Sequence, residues 1–454
     1  MFSTIRNAFK SPDLRKRLLF TIFILIIFRL GAAIFVPFVD GGVAKSVSSS
    51  VLSDTGSVFG MLNLFSGGAF SQATLFALSI SPYITAQIII QLLTVAIPPL
   101  ERMAKEGETG RKKLNQITKY VALAMAALQG YGYYTIIRYQ QFTLSDGTVR
   151  TGLLVDSATK GGMQVFAAFV IVVTLVAGAS AVVWLGDQIT DKGLGNGISM
   201  ILFAGIMAGF PKNLQILWET FMSGVNAMKN NTDGASKVFL VPVILLVFAA
   251  MIVFIVIMTD AERRIPVQYA KRVVGRKMYG GQSSFIPIKV NMSSVLPIIF
   301  ASSLLNLPAT IAAFTNPAAD SFWGGFVKVM SPSSWLYGIL FFLLIIGFNY
   351  FYVAIQYNPI EIANNIKNNN GAIPGIRPGK PTSTFIQKVL TKIVFIGAIF
   401  LGIIAVFPIF FNWITGIQVA LGGTTIIIVV GVALETMQQL ESQMMMRHHK
   451  GFLE

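Results

Sequence analysis

The side chains able to do chemistry in this chain are few and poorly placed for it. There is no cysteine, and the two histidines, His448 and His449, stand side by side near the C-terminus. Thiol catalysis, disulfides and cysteine-ligated metals are excluded, and scattered histidines for a metal or acid–base site are missing. No H-E-x-x-H, G-x-S-x-G or Walker-type phosphate loop occurs. Arg29 is the charge set deepest in an apolar run; Lys119, Lys212 and Lys392 lie at or near the ends of theirs, and Asp187, Asp191, Asp260 and Glu262 fall at or just beyond such ends. Ion-coupled transporters and pumps carry ionisable groups at membrane depth. A secondary transporter or an intramembrane hydrolase would therefore lack its working residues here, and no cofactor or metal is implied.

The elements that must position these residues are apolar helices. The chain of 454 residues is 54% hydrophobic and 12% charged, with mean hydropathy +0.68, whereas a soluble chain is roughly a quarter charged. A bilayer core takes about 20 apolar residues per helix. Such runs lie at roughly 18–36, 75–97, 119–137, 165–185, 196–217, 239–258, 293–313, 335–355, 392–411 and 418–434, predicting ten spans. Ahead of them, Phe2, Ile5 and Phe9 predict a short interfacial helix ending at Pro12.

Net charge is +16, and its first explanation is topological, since Lys and Arg collect on the cytoplasmic side. With the N-terminus inside, external segments hold Lys45, Arg138, Arg150, Lys160, Lys212, Lys229, Lys237 and Lys328, which with Arg29 set aside leaves 26 of the 35 basic residues inside. An even span count returns the C-terminus to the cytoplasm. Ten spans divide as five plus five, which suggests an inverted repeat with its site between the halves. The division runs 1–217, 218–434 and a tail, 435–454.

One segment departs from the pattern. Met61-Leu-Asn-Leu-Phe-Ser-Gly-Gly-Ala-Phe-Ser-Gln72 is too short to span and too apolar for an ordinary external loop. A re-entrant half-helix shielded by protein fits it, and a helix lying on the membrane surface is the alternative. Gly67 and Gly68 within it serve either a hinge or close packing.

Specific motifs then accumulate in order. Phe65-Ser-Gly-Gly-Ala-Phe-Ser-Gln72 leads to Phe76-Ala-Leu-Ser-Ile-Ser-Pro-Tyr-Ile-Thr85, Lys105-Glu-Gly-Glu-Thr-Gly-Arg-Lys-Lys113 and Trp184-Leu-Gly-Asp-Gln-Ile-Thr190. Gly193-Leu-Gly-Asn-Gly-Ile-Ser199, Arg263-Arg-Ile-Pro266, Tyr269-Ala-Lys-Arg272 and Pro287-Ile-Lys-Val-Asn-Met292 follow, then Pro374-Gly-Ile-Arg-Pro-Gly379 and Gly422-Gly-Thr424. The ordered set resembles the SecY/Sec61α family. The resemblance implies an all-α integral membrane fold of ten helices in two inverted halves with a re-entrant plug at about 61–73. It implies a protein-conducting channel in the bacterial plasma membrane, passing unfolded secretory polypeptides and releasing hydrophobic segments sideways into lipid. Its implied partners are SecE, SecG, the SecA ATPase, the ribosome, nascent polypeptide, signal sequences and membrane lipid, with no DNA.

The same resemblance assigns residues. A pore ring falls on Ile80, Ile84, Ile198, Leu202, Ile299 and Ile428. The first four form two i,i+4 pairs, each on one helical face, and a ring of aliphatic side chains resists wetting when empty. Plug residues are Asn63, Phe65, Ser66, Gly67, Gly68 and Phe70, and a lateral gate includes Gln129 and Asn306. Motor or ribosome docking falls on Arg263, Arg264, Lys271, Arg272, Arg276, Lys277 and Arg377, in basic loops 259–292 and 356–391. Such patches attract phosphate backbones or an acidic protein surface; a solvated loop that only sets topology is the other reading.

Overall fold

Helix α1 (Pro12–Gly31) starts where its sequence favours a start, with proline at its first position and Asp13 in its first turn. In this computed structural model the described residues are 9, 11–49, 58–144, 148–155, 161–229, 237–269, 272–274, 277–279, 283–315, 321–331, 334–415 and 423–450. The interfacial helix expected around Phe2 and Ile5 lies outside them, as do Lys271 and Arg276.

After α1 come α2 (Gly41–Ser46), β1 (Val47–Ser49), α3 (Val58–Phe65), α4 (Ser81–Ala96), α5 (Pro98–Lys105) and α6 (Glu108–Tyr139). Then follow β2 (Gln141–Leu144), β3 (Val149–Thr151), α7 (Gly161–Lys192), α8 (Gly197–Lys229) and α9 (Lys237–Asp260). Strands β4 (Glu262–Tyr269), β5 (Arg272–Val274), β6 (Lys277–Tyr279) and β7 (Ser283–Lys289) precede α10 (Leu296–Thr315) and α11 (Phe322–Val329). The chain ends with α12 (Trp335–Gln356), α13 (Pro359–Asn368), β8 (Gly371–Ala372), α14 (Lys380–Thr415) and α15 (Gly423–Lys450).

Among the described residues, five stretches are long and apolar enough to cross a bilayer by themselves: those of α7, α8, α9, α14, and α12 with α13. The pair α4 and α5 makes a sixth if counted as one span, although it bends by 102°. The bend has a local cause: Ile97, before Pro98, is extended at φ −112° and ψ 109°, as a residue preceding proline must be. Helix α1 falls outside this set because Arg15, Lys16, Arg17 and Arg29 interrupt its apolar run. Helix α6 mixes Gln129, Tyr131, Tyr133 and Tyr134 into its second half.

Among the described residues, earlier helices meet later ones along two seams, α8 against α9 and α15, and α4 and α6 against α10. A large apolar cluster runs between them and contains Ile80, Ile84, Leu202, Ile299 and Ile428, with Ile198 packed against it.

The molecule is mostly helical, as expected, and among the described residues its connections form three small antiparallel sheets, ordered β1-β2-β3, β7-β4-β8 and β5-β6. In the second sheet β4 pairs with β7 from Glu262↔Lys289 to Gln268↔Ser283. The cause is a period-2 alternation: Ile265 and Val267 point inward while Arg264, Pro266 and Gln268 stay exposed. The inward face meets Ala363 and Ile366 of α13, Ile373, and Ile386, Leu390 and Ile393 of α14. The loops read as separate basic segments are therefore one packed body. Helix α15 also continues without a break through position 434 to Lys450.

Candidate functional site

Two cavities adjoin within the aliphatic cluster. The upper one, about 70 Å³, is bounded by Phe65 and Phe70, by Ile84 of α4, Gln129 of α6, Leu202 of α8, and Ile299 and Asn306 of α10. The lower one, about 370 Å³, is bounded by Leu202 and Ile299 again, by Ile428 of α15, and by the polar side chains of Asn196, Lys289 and Gln438. Leu202 and Ile299 thus form a shared wall, 4% and 8% exposed. The shared part of the two linings is branched and aliphatic, and offers hydrogen bonds to nothing that enters.

The expected ring residues divide by position. Ile84, Leu202, Ile299 and Ile428 reach a cavity wall. Ile80 is fully buried one turn before Ile84, and Ile198 is half-buried near Gly186. The expected gate residues Gln129 and Asn306 come to the same upper cavity from α6 and α10, beside Thr85, Ser302 and Ser303.

The expected plug segment closes on itself beside the upper cavity. Helix α3 ends at Phe65, and Gly67 and Gly68 reverse the chain with φ of +65° and +90°, a region glycine adopts without strain. The Gly68 N–H donates to the Asn63 carbonyl at 2.9 Å, and the Ser71 N–H donates to Asn63 Oδ1 at 2.9 Å. Ser66 Oγ accepts from the Phe70 N–H at 3.0 Å. The hydroxyl of Tyr133 donates to the Phe70 carbonyl, and the two rings lie 4.7 Å apart. A side chain added at Gly67 would meet Arg29 Nη1 at 2.7 Å and the Gly205 carbonyl at 2.8 Å, whereas one at Gly68 would meet nothing. Gly67 therefore serves both close packing and conformation, and Gly68 conformation alone.

Comparison with known proteins decides the family. The SecY family profile matches residues 74–437. The protein translocase subunit SecY of Streptomyces coelicolor is 43% identical, and that of Corynebacterium glutamicum 41%. The first alignment covers all of both chains, the second 99% of this chain and all of the other. The chain belongs to the SecY family. A solved structure of a protein conducting channel covers 96% of each chain with a TM-score of 0.59 at 17% identity. A structure concerned with the plug domain of SecY gives 0.61 at 16%, again covering 96% of each chain. Sec61 in the canine ribosome-channel complex gives 0.56 at 16%, with the same coverage. These last three share the fold. A SecY-family chain is a membrane-embedded protein translocation channel subunit and not a catalytic enzyme.

Within this SecY-family chain the basic docking candidates are distributed over the packed body. Arg263 and Arg264 stand exposed on β4. Arg264 Nε lies 2.6 Å from Glu262 Oε1, and its guanidinium sits 4.8 Å over the Phe285 ring, which leaves Arg263 the more available of the two. Arg272 and Lys277 occupy the β5–β6 ribbon, in register with Tyr279 and Val274. Arg377 is exposed in the turn after β8, where its carbonyl accepts from Thr382 Oγ1 at 2.9 Å. Ile376 beside it packs onto the body's core, so the turn presents Arg377 from a fixed base.

Sequence reasoning missed two polar links. Lys289 Nζ donates to Gln438 Oε1 at 2.7 Å, and Gln438 Nε2 donates to Asp260 Oδ1 at 3.2 Å, tying β7, α15 and α9 together at the mouth of the lower cavity. Glu435, on the same wall, is held above the usual carboxylate range by burial, against an opposing pull from Lys289. Deeper in, Asn349 of α12 donates to the Val394 carbonyl of α14 at 2.9 Å and accepts from the Ser293 hydroxyl. A lone asparagine in an otherwise apolar span was the available signal.

Proposed function

We propose that the chain forms a gated pore through which unfolded secretory polypeptides cross the bacterial plasma membrane. It comprises ten spans in two inverted halves, 1–217 and 218–434, with a tail at 435–454 and both termini in the cytoplasm. The lower cavity is the cytoplasmic funnel, the upper one the external funnel. Ile80, Ile84, Ile198, Leu202, Ile299 and Ile428 form the constriction. Asn63, Phe65, Ser66, Gly67, Gly68 and Phe70 belong to a plug beneath which the ring stays dry. Gln129 and Asn306 lie at a seam, α4 and α6 against α10, that parts to release hydrophobic segments and signal sequences into lipid.

The observation that carries this reading is that Leu202 and Ile299 wall both cavities at once. An aliphatic wall between two spaces is costly to wet and grips no sequence, which is what passage of many different polypeptides without ion leak requires. The partners follow from chemistry and kinship. Arg263, Arg264, Lys271, Arg272, Arg276, Lys277 and Arg377 on the basic body dock SecA or the ribosome, and SecE and SecG complete the membrane complex. Its relative Sec61 occurs in a ribosome-channel complex.

The absence of native cysteine makes the test clean. A single cysteine at Ile84 or Ile299 is to be paired with one in a precursor stalled in mid-transport. A disulfide that depends on motor and ATP is expected. Its absence, with control positions reactive and transport intact, would refute the pore assignment.

A further inference from the structure

Arg29 is the sole charge inside the first apolar run, and it stands two residues before the end of α1. An arginine so close to a span end ordinarily extends its guanidinium into the headgroups. Here it turns to the plug instead, and Nη1 donates to the Gly67 carbonyl at 3.3 Å. That carbonyl lies just beyond the C-terminal end of α3, where backbone carbonyls lack helical partners and carry partial negative charge. Beside the same glycine, α8 offers Gly205. A Cβ built there would lie 2.2 Å from the Phe65 carbonyl oxygen, so only glycine lets the end of α3 rest on that backbone.

The chain beyond these contacts is tied down differently. Tyr133 holds the Phe70 carbonyl, and the Leu75 N–H donates to the Ile34 carbonyl at 2.8 Å. Residues from 70 onward are therefore anchored, α3 precedes the glycine reversal, and Arg29 and Gly205 meet the chain at that reversal.

We propose that Arg29 and Gly205 are plug-positioning residues: the arginine latches the hinge carbonyl of Gly67 while the glycine of α8 provides the notch in which α3 seats. The inference rests on the plug reading above. A single charge-assisted hydrogen bond, partly open to solvent, is weak enough to yield when a polypeptide enters and strong enough to bias the empty channel toward closure.

The test uses the full chain in intact membranes, with Ala69→Cys as the sole cysteine. Ala69 is 3% exposed within the plug segment. A membrane-impermeant maleimide applied to the outer face reads plug displacement without any transport. Arg29→Met is expected to raise the labelling rate about tenfold, in line with losing one hydrogen bond to a charged group. Arg29→Lys is expected to give a smaller rise. Gly205→Ala, which unseats α3 without touching Arg29, should raise labelling independently. A parental labelling rate in Arg29→Met would overturn the latch, and one in Gly205→Ala the notch. A chain lacking 61–73 separates the two ideas. If it leaks small ions while Arg29→Met labels normally, the latch fails and the plug stands; if it does not leak, the plug reading itself fails.

Discussion

Replacing Ile299 by alanine tests the constriction most directly. The substitution removes three carbons from a side chain that walls both cavities. At about 0.8 kcal/mol per buried methylene, the closed state loses about 2.4 kcal/mol of apolar contact. An open state with a wetted constriction does not make those contacts, so the loss falls on closure alone. Since 1.4 kcal/mol is a factor of ten, the open fraction of the empty channel is expected to rise by up to about fiftyfold. Ion flux across proteoliposomes containing the complex, without substrate, measures it. Ile298 provides the control: it is 1% exposed on the same helix, belongs to the same cluster, and borders neither cavity. Ile298→Ala loses similar contact and should cost stability with little flux. Equal flux from the two variants, or none from Ile299→Ala, would refute the assignment of the seal to this wall.

Other outcomes follow from named contacts. Arg377→Glu is expected to abolish SecA-driven transport of a precursor into vesicles while the chain inserts normally, read by protease protection and immunoblot. Asn349→Leu removes two hydrogen bonds, one to α14 and one to the bend before α10, and should lower stability by about 1–3 kcal/mol, measured by denaturant unfolding in detergent. Glu435 binds its proton more readily in the folded chain than in the unfolded one, so its contribution to stability falls as pH rises through its folded range. Glu435→Gln should therefore be at least as stable as the parent at neutral pH and lose that advantage as pH falls through the raised range of Glu435 to the ordinary carboxylate range, seen in thermal unfolding at two pH values.

The helices were legible in the sequence where lipid imposes one rule along the whole element. The runs at 165–185, 239–258, 335–355 and 392–411 fall inside α7, α9, α12 and α14, because an all-apolar stretch reports burial without any periodicity. Helices with a polar side are harder to read, as α6 shows with its glutamine and tyrosines. The strands escaped because each is short and polar on one face. Arg263-Arg-Ile-Pro-Val-Gln-Tyr269 alternates over only a few residues and reads first as charge. Packing of α13 and α14 onto β4 was beyond reach for the same reason: its apolar members are scattered from Ile265 to Ile393. At the candidate site the aliphatic positions were assigned by kinship, not spacing, since isoleucine is common in every span. The grip of Arg29 on Gly67 left no trace beyond an arginine in an unusual place.

The sheet of β4 and β7 has a mechanical consequence. An eight-residue strand reaches about 26 Å, and this one grows from the end of α9 and returns, through β7, toward the start of α10. Its inner face is bonded through side-chain packing to α13 and to the base of α14, and its root is bridged to α15 by Lys289 and Gln438. A force applied at the distal ribbon thus acts on a lever rooted at α9 and α10 and held by α13, α14 and α15. A partner holding that handle could shift the wall that carries Ile299 and Ile428 without itself entering the membrane, and a small displacement at the wall would correspond to a longer, gentler stroke outside.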